Sequence, residues 1–335
     1  MKSEKLIEKL TSEISVSGAE YGKDSFIYSE ISKYTDTVTI DPMGNIIALK
    51  KSEKADAKKF MLAAHMDEIG FLVHYIDEKG RVRVSGIGGI NSVSSAYTNV
   101  VFENGIKGVL VAEENTKNAD LSVKKLYVDI GTKSRKEAEK LVSVGMRCTM
   151  VPNFTKLYGG KISSHALDDK VGCALLIEAA QRVENSPYDV YYVFTSQEEV
   201  GLRGSATAAF SVAPDYGIAV DVTDTGDVPG CDPMEVMMGK GAAIKIKDSS
   251  AICSVKMVEY LKRIATENKI PHQLEILLAG GTDTRSLLMT GRGAVAGAIS
   301  VPTRYIHSNV ETIDMKDYNA CLKLLVCALE GNIDA

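Results

Sequence analysis

The chain has 335 residues, 45% of them hydrophobic and 25% charged, a size that predicts two domains or one domain carrying an insertion and a composition that excludes a disordered chain. Its 39 basic and 44 acidic residues leave a net charge of −5, so the balance points to no nucleic-acid surface, and no apolar run approaches a membrane span. The six cysteines contain no C-x-x-C spacing, which argues against a disulfide framework or a thiolate zinc site and for free, mostly buried thiols in a reducing compartment.

In chain order, residues 3–15 place Leu6, Ile7, Leu10 and Ile14 at helical spacing. This start is charged and amphipathic, without an apolar stretch of signal-peptide character, so the cytoplasm is the expected address. SVSGAEYG supplies a turn before a second helix near 25–33. Strands over 37–40 and 46–50 flank Asp41-Pro42-Met43-Gly44-Asn45, whose Asp-Pro and Gly-Asn pairs favour a turn. A solvated loop, KKSEKADAKK, then leads to a strand over 60–64 that delivers His65.

Beyond Asp67 the pattern changes to short strands with charged and glycine turns, in FLVHYI, RVRVSGIGG, NVVFENGIKGVLVA and KLYVDIG. Such spacing predicts a small antiparallel barrel or sandwich over about 69–150, with a helix over 134–144 capped by Ser134. From about 161, helices over 169–183, 204–210, 254–268 and 318–329 alternate with strands over 190–194, 216–222, 273–278 and 294–300. The expected fold class is therefore α/β: a mixed sheet covered by helices on both faces, with a small β-barrel-like domain inserted in it. The expected boundaries are 1–68 with 151–335 for the catalytic part and 69–150 for the insertion.

The stretch LAAHMDEIGF (62–71) carries the first chemistry. In an extended strand, residues i and i+2 share a face, so His65 and Asp67 can face one cavity. A metal-bound imidazole commonly gives its other ring N–H to an acceptor such as a carboxylate, a role open to Asp67; a buried structural His–acid pair is the alternative. Open α/β sheets bind ligands beyond the carboxyl ends of their strands. Glu198 and Glu199 follow one predicted strand, Asp221 ends another, His307 follows a third, and Asp168 and Asp169 open a helix. Two histidines and several carboxylates at one sheet edge suit two divalent ions about 3.5–4 Å apart, bridged by a carboxylate. Mixed nitrogen and oxygen donors fit zinc, with cobalt or manganese admitted. The adjacent glutamates can divide metal binding from proton transfer. Taken singly, Asp168 and Asp169 could be helix caps, Glu198 and Glu199 a solvated turn, and His307 a satisfied polar residue; Asp221, ending an apolar strand, needs a partner.

Nine blocks along the chain resemble the M42 metallo-aminopeptidases, a family that includes the tetrahedral TET particles and chains assigned as glutamyl aminopeptidases or cellulases. They are SVSGAE (15–20), DPMGN (41–45), AAHMDEIGF (63–71), LYVDIG (126–131), ALDDKVG (166–172), TSQEEVGLRG (195–204), AVDVTDTGD (219–227), GGTDT (280–284) and RYIHS (304–308). The resemblance implies that His65 and Asp221 bind one metal, Glu199 and His307 the other, and that Asp168 bridges two divalent ions per subunit. It further implies that Asp67 orients His65, that Glu198 is the general base, and that Gly280, Gly281, Thr282 and Asp283 help to line the substrate pocket. Peptides are the implied substrates, with no nucleic-acid or membrane partner. The insertion is implied to serve dimerisation, and dimers to assemble as far as dodecamers. Two positions depart from the family pattern: Asp224 stands where it often carries His, and His165 where it often carries Lys. Arg285 could attract acidic side chains or be an ordinary surface residue. The M20-like carboxypeptidases and deacylases share the ligand logic but place their extra domain later; here 103 residues separate His65 from Asp168. A non-catalytic homologue and a cellulase are the remaining alternatives, the latter requiring paired carboxylates that flank a sugar cleft.

Overall fold

The computed structural model describes residues 2–19 and 22–335; Glu20, which ends the SVSGAE block, lies outside them. The chain opens with α1 (Ser3–Thr11), α2 (Phe26–Ile31), β1 (Thr37–Ile40), β2 (Ile46–Lys50) and β3 (Lys58–His65). Helix α1 stops short of the predicted residue 15 because the following segment turns aside: the Ser15 N–H donates to the Glu68 carboxylate at 2.6 Å, and Val16 forms a β-bridge with Glu68. Ser25 caps α2, its hydroxyl accepting from the Tyr28 N–H at 3.1 Å.

After β3 the chain leaves the main sheet through β4 (Gly70–Ile76), β5 (Val82–Ile87), the short helix α3 (Ser92–Ser95), β6 (Thr98–Phe102), β7 (Lys107–Ala112), β8 (Leu126–Asp129), α4 (Arg135–Ala138) and β9 (Arg147–Met150). The six strands close into a barrel in the order β4-β5-β8-β7-β6-β9. Alternate residues such as Val82 and Val84, Val100 and Phe102, or Leu126 and Val128 point inward and form a core of their own. Ser134 caps α4 as expected, but the helix ends at Ala138 and residues 139–141 form a turn.

The chain returns through β10 (Thr155–Leu157), β11 (Lys161–Ser164), α5 (Leu167–Arg182), β12 (Tyr188–Thr195), α6 (Arg203–Val212), β13 (Tyr216–Thr223), β14 (Ala242–Lys247), α7 (Val255–Glu267), β15 (His272–Ile276), α8 (Thr284–Met289), β16 (Val295–Arg304), β17 (Glu311–Asp314) and α9 (Met315–Glu330). They complete an eleven-stranded mixed sheet, ordered β1-β2-β12-β3-β13-β16-β17-β11-β10, with β14 on β16 and β15 on β14. Strand β3 shows why both faces are covered. Phe60, Leu62 and Ala64 belong to the core cluster that includes residues of α1, α5, α7 and α9, whereas Met61 and Ala63 belong to the one that includes residues of α6 and α8.

Strands β9, β10, β11, β14 and β17 are absent from the sequence-based expectation. Strand β10 is exposed throughout, so it has no apolar alternation to read. Strand β14 hides behind Lys245, which is fully buried against Glu275 of β15, with Asp248 at 3.8 Å. A lysine on a buried strand face makes sense only once its acidic partner is placed. Among the described residues no helix is long and apolar enough to cross a membrane.

Candidate active site

Strands β3, β12 and β13 run parallel, and their carboxyl ends finish together: His65, the last residue of β3, is the partner of Thr195, the last of β12. Asp221 lies near the end of β13. Asp168 and Asp169 form an irregular first turn of α5, with backbone angles outside the helical range and a cis peptide between them. They divide two tasks. The Asp169 carboxylate accepts from the Gly172 N–H at 2.9 Å and from the His65 N–H at 3.2 Å, capping the helix and tying it to β3. Asp168 faces both histidines.

The two oxygens of Asp168 point to different partners, Oδ1 lying 2.9 Å from His65 Nε2 and Oδ2 3.4 Å from His307 Nε2. Each ring is set by a main-chain carbonyl. His65 Nδ1 is 3.1 Å from the Asp67 oxygen and His307 Nδ1 is 3.0 Å from the Gly89 oxygen. A carbonyl only accepts, so Nδ1 carries a proton in both rings, and Nε2 is the atom turned to the carboxylates, free to ligate a cation once it gives up its own proton. Donor atoms of His65, Asp168 and Asp221 lie within 4.8 Å of one another, as do those of Asp168, Glu199 and His307. Nitrogen and carboxylate oxygen donors grouped in this way, sharing one carboxylate, fit two divalent cations.

Charge is the dominant feature of the site. Burial would strip the proton from His65, but Glu198, Asp168 and Asp221 outweigh it and hold the ring well above the usual histidine range. His307 shows the same contest and is lifted to about 12 through its contacts with Asp168 and Glu199. Burial pushes Asp221 up to about 8, with His65 pulling it down and Asp168 pushing it further up. Glu198 is raised well above the usual carboxylate range by burial, against His65 and with Asp221. So many buried carboxylates demand compensating positive charge, which matches the donor set.

Asp67 reaches His65 through its main chain. Its carboxylate oxygen Oδ1 is 3.7 Å from His65 Nδ1 and is turned to the glutamate pair instead, accepting from the Glu198 N–H at 3.0 Å. The other oxygen accepts from the Glu199 N–H at 3.3 Å and the Ser17 hydroxyl at 2.6 Å. Gln197, in the left-handed conformation, turns the chain there. Glu311 makes a comparable clamp, accepting from the N–H groups of Asp168 and His307, both at 2.9 Å. It holds His307 in a left-handed conformation that costs energy elsewhere. Sequence reasoning missed Glu311, Gly89, Ser17 and the task of Asp169. An acid four residues after His307, between Val310 and Thr312, was the signal for Glu311.

A cavity of about 500 Å³ opens over the site, lined by His65, Asp168, Glu198, Glu199, Asp221 and His307. Gly280, Gly281 and Thr282 also line it, but Asp283 does not. Asp283 is buried behind the wall, where it accepts from the Thr195 hydroxyl at 2.6 Å. Asp224 lines the cavity; Arg285 lines a neighbouring one. His165 belongs to neither donor group and lies against Glu68, its Nε2 2.7 Å from the carboxylate.

A family profile described as M42 glutamyl aminopeptidase matches residues 44–324. The chain is 46% identical, over 97% of both chains, to a protein of Acetivibrio thermocellus named as a candidate aminopeptidase. Among solved structures it superposes on an aminopeptidase of the archaeon Desulfurococcus kamchatkensis with a TM-score of 0.95 at 35% identity, covering 99% of this chain and 95% of that one. The TET1 peptidase of Pyrococcus horikoshii, described as able to assemble into a tetrahedron or a large octahedral shell, superposes with a TM-score of 0.88 at 31% identity, covering 99% and 100%.

Proposed function

The chain belongs to the M42 glutamyl aminopeptidase family and is a peptide hydrolase, and from that premise we propose that it is a two-metal aminopeptidase that removes N-terminal residues from short peptides, with Glu198 as general base. The observation that carries this reading is Asp168, whose two oxygens address a histidine each from two donor groups. In the proposal His65 and Asp221 hold one cation, Glu199 and His307 the other, and Asp168 bridges. Zinc is the first expectation, with cobalt and manganese compatible with the same donors.

When bound, two divalent cations supply Lewis acidity toward a carbonyl oxygen and bring the acidity of water toward neutrality. The chain's own residues do the rest. Glu198, on the cavity wall outside both donor groups, takes a proton from the attacking water and returns it to the leaving amine. Asp67 fixes the main chain of Glu198 and Glu199, so that base and ligand keep their separation. A free α-amine, being cationic, is drawn to the carboxylates that line the cavity, which favours cleavage at chain ends.

The experiment is a panel of aminoacyl-nitroanilides assayed after chelation and after reconstitution with zinc, cobalt or manganese. Activity should vanish on chelation and return with at least one ion, and N-acetylated analogues should stay intact. Full activity in the presence of a chelator, or cleavage of acetylated and free substrates at equal rates, overturns the reading.

We also infer that residues 69–150 form an inserted unit that serves dimerisation, and that the protein is a homo-oligomer between dimer and dodecamer. Support comes from the assembly described for the TET1 peptidase and from β15, a sheet-edge strand that leaves Leu274, Ile276 and the adjoining Leu278 exposed. A monomeric mass at micromolar concentration in native mass spectrometry would refute it. The six cysteines are free, and four are buried, which supports a reducing compartment.

A further inference from the structure

Apart from the two donor groups and Glu198, the described residues lining the active-site cavity carry one charge, that of Asp224; among them is no lysine or arginine. Asp224 follows β13 directly. It makes no hydrogen bond or ion pair with any described residue. Asp227, from the same turn, shows the contrast: Arg304 grips it with Nε at 3.0 Å and Nη2 at 2.6 Å, and the Thr225 hydroxyl donates to it at 2.7 Å. Arg304, at the end of β16, is thus held by Asp227, and the Asp224 carboxylate is left lining the cavity.

Two further observations bear on what this carboxylate meets. Two divalent cations bring as many positive charges as Asp168, Asp221, Glu199 and Glu198 bring negative ones, so Asp224 is the charge left over in the loaded cavity. Asp224, Leu277 and Ala279 also line an adjoining groove of about 370 Å³, whose wall includes Val228, Met234 and Leu278, together with a second acid, Asp232, and Arg304, which is held by Asp227. An anionic end beside an apolar wall matches a side chain with an alkyl stem and a cationic tip. Acidic side chains, which the family description names, meet no cation in the active-site cavity, and the arginine of the groove is already held by Asp227.

We propose that Asp224 is a specificity-determining residue that receives the cationic side chain of a lysine or arginine flanking the scissile bond, with the adjoining apolar groove taking its stem. The proposal rests on the aminopeptidase reading and adds its substrate class.

The test compares the metal-loaded protein with Asp224→Asn, which removes the charge and keeps the shape, and Asp224→His, which replaces the carboxylate by an imidazole. Lysyl, arginyl, leucyl and glutamyl nitroanilides report on the residue before the bond, and Leu-Lys against Leu-Ala reports on the residue after it. The wild type should prefer the basic member of at least one panel, and both variants should lower the ratio of kcat/KM for basic over leucyl or alanyl substrates by about tenfold or more. Calorimetry supplies a readout independent of turnover: L-lysine should bind the wild type more tightly than L-norleucine, and Asp224→Asn should erase the difference. A preference confined to one panel fixes the side of the bond. Equal losses on every substrate mean that the carboxylate serves the common α-amine or the integrity of the site, and overturn the proposal. So does an unchanged charge preference, or equal binding of lysine and norleucine by the wild type. Turnover without charge preference removes this proposal alone; no turnover of any substrate by the metal-loaded wild type removes the aminopeptidase reading with it.

Discussion

Glu198 and its neighbour Glu199 differ by one position, and the structure separates their tasks: Glu199 joins a donor group, whereas Glu198 lines the cavity outside both. Glu198→Gln keeps the shape and removes the base. It should lower kcat by about 10²–10⁴-fold while elemental analysis of the dialysed protein finds the metal content unchanged; undiminished turnover would place the base elsewhere. Gly89 offers a second residue-scale test. A Cβ there would lie 2.6 Å from His307 Nδ1 and 2.8 Å from Cε1, so Gly89→Ala must displace either the ring or the carbonyl that sets it. We expect metal titration to show one of the two sites weakened by about 10–100-fold and the His65 site kept. The candidate donors were legible in the sequence, because His65, Glu199, Asp221 and His307 each end or follow a strand and Asp168 opens a helix, whereas their division between two cations came only from the family resemblance. Gly89 and Glu311 were not. Their contribution is a contact far away along the sequence, the Glu311 carboxylate with the Asp168 N–H and the Gly89 carbonyl with the His307 ring; such contacts leave no local pattern beyond the acid four residues after His307.

At the scale of elements, α5 and the β3–β4 connection decide how rigidly the site is held. Helix α5 is buried from Leu167 to Ala180, so its apolar residues do not form a single stripe. Leu176→Ala should cost about 2–5 kcal/mol in denaturant unfolding. Glu68, in the connection, accepts from the Ser15 N–H at 2.6 Å and the Thr149 hydroxyl at 3.3 Å, and so ties the N-terminal segment to the barrel. Burial raises its carboxyl, but His165, Lys170 and the Ser15 N–H outweigh that and leave it below its ordinary value. An acid whose folded value is depressed stabilises the fold above its unfolded value, about 4.3, and loses that contribution as pH falls through the folded value. Glu68→Gln should therefore melt below the wild type at about pH 7, with the gap closing in acid below about pH 4. A gap that does not change with pH would assign the loss to packing alone.

For the whole molecule, the site is shared between the main sheet and the barrel, since the Gly89 carbonyl that sets His307 comes from the segment after β5. Cations that bind the donor groups of the folded chain should raise the melting temperature with their concentration, by the equivalent of about 2.7 kcal/mol at a hundred times the dissociation constant. A melting temperature indifferent to chelation would argue against binding. The α/β class, the covering of both sheet faces and the small inserted barrel were determined by the sequence alone. So was the gathering of donors at one sheet edge, because periodicity of two and of 3.6 residues is local and parallel strands end together. Tertiary structure decided what depends on pairs remote in sequence. It turned the Asp67 carboxylate to the glutamate amides, made Asp169 the cap and Asp168 the shared donor, set Asp283 behind the cavity wall, and buried Lys245 of β14 against Glu275. Each of these is a buried charge or hydrogen bond whose partner lies elsewhere in the chain, and hydrophobic periodicity carries no record of who that partner is.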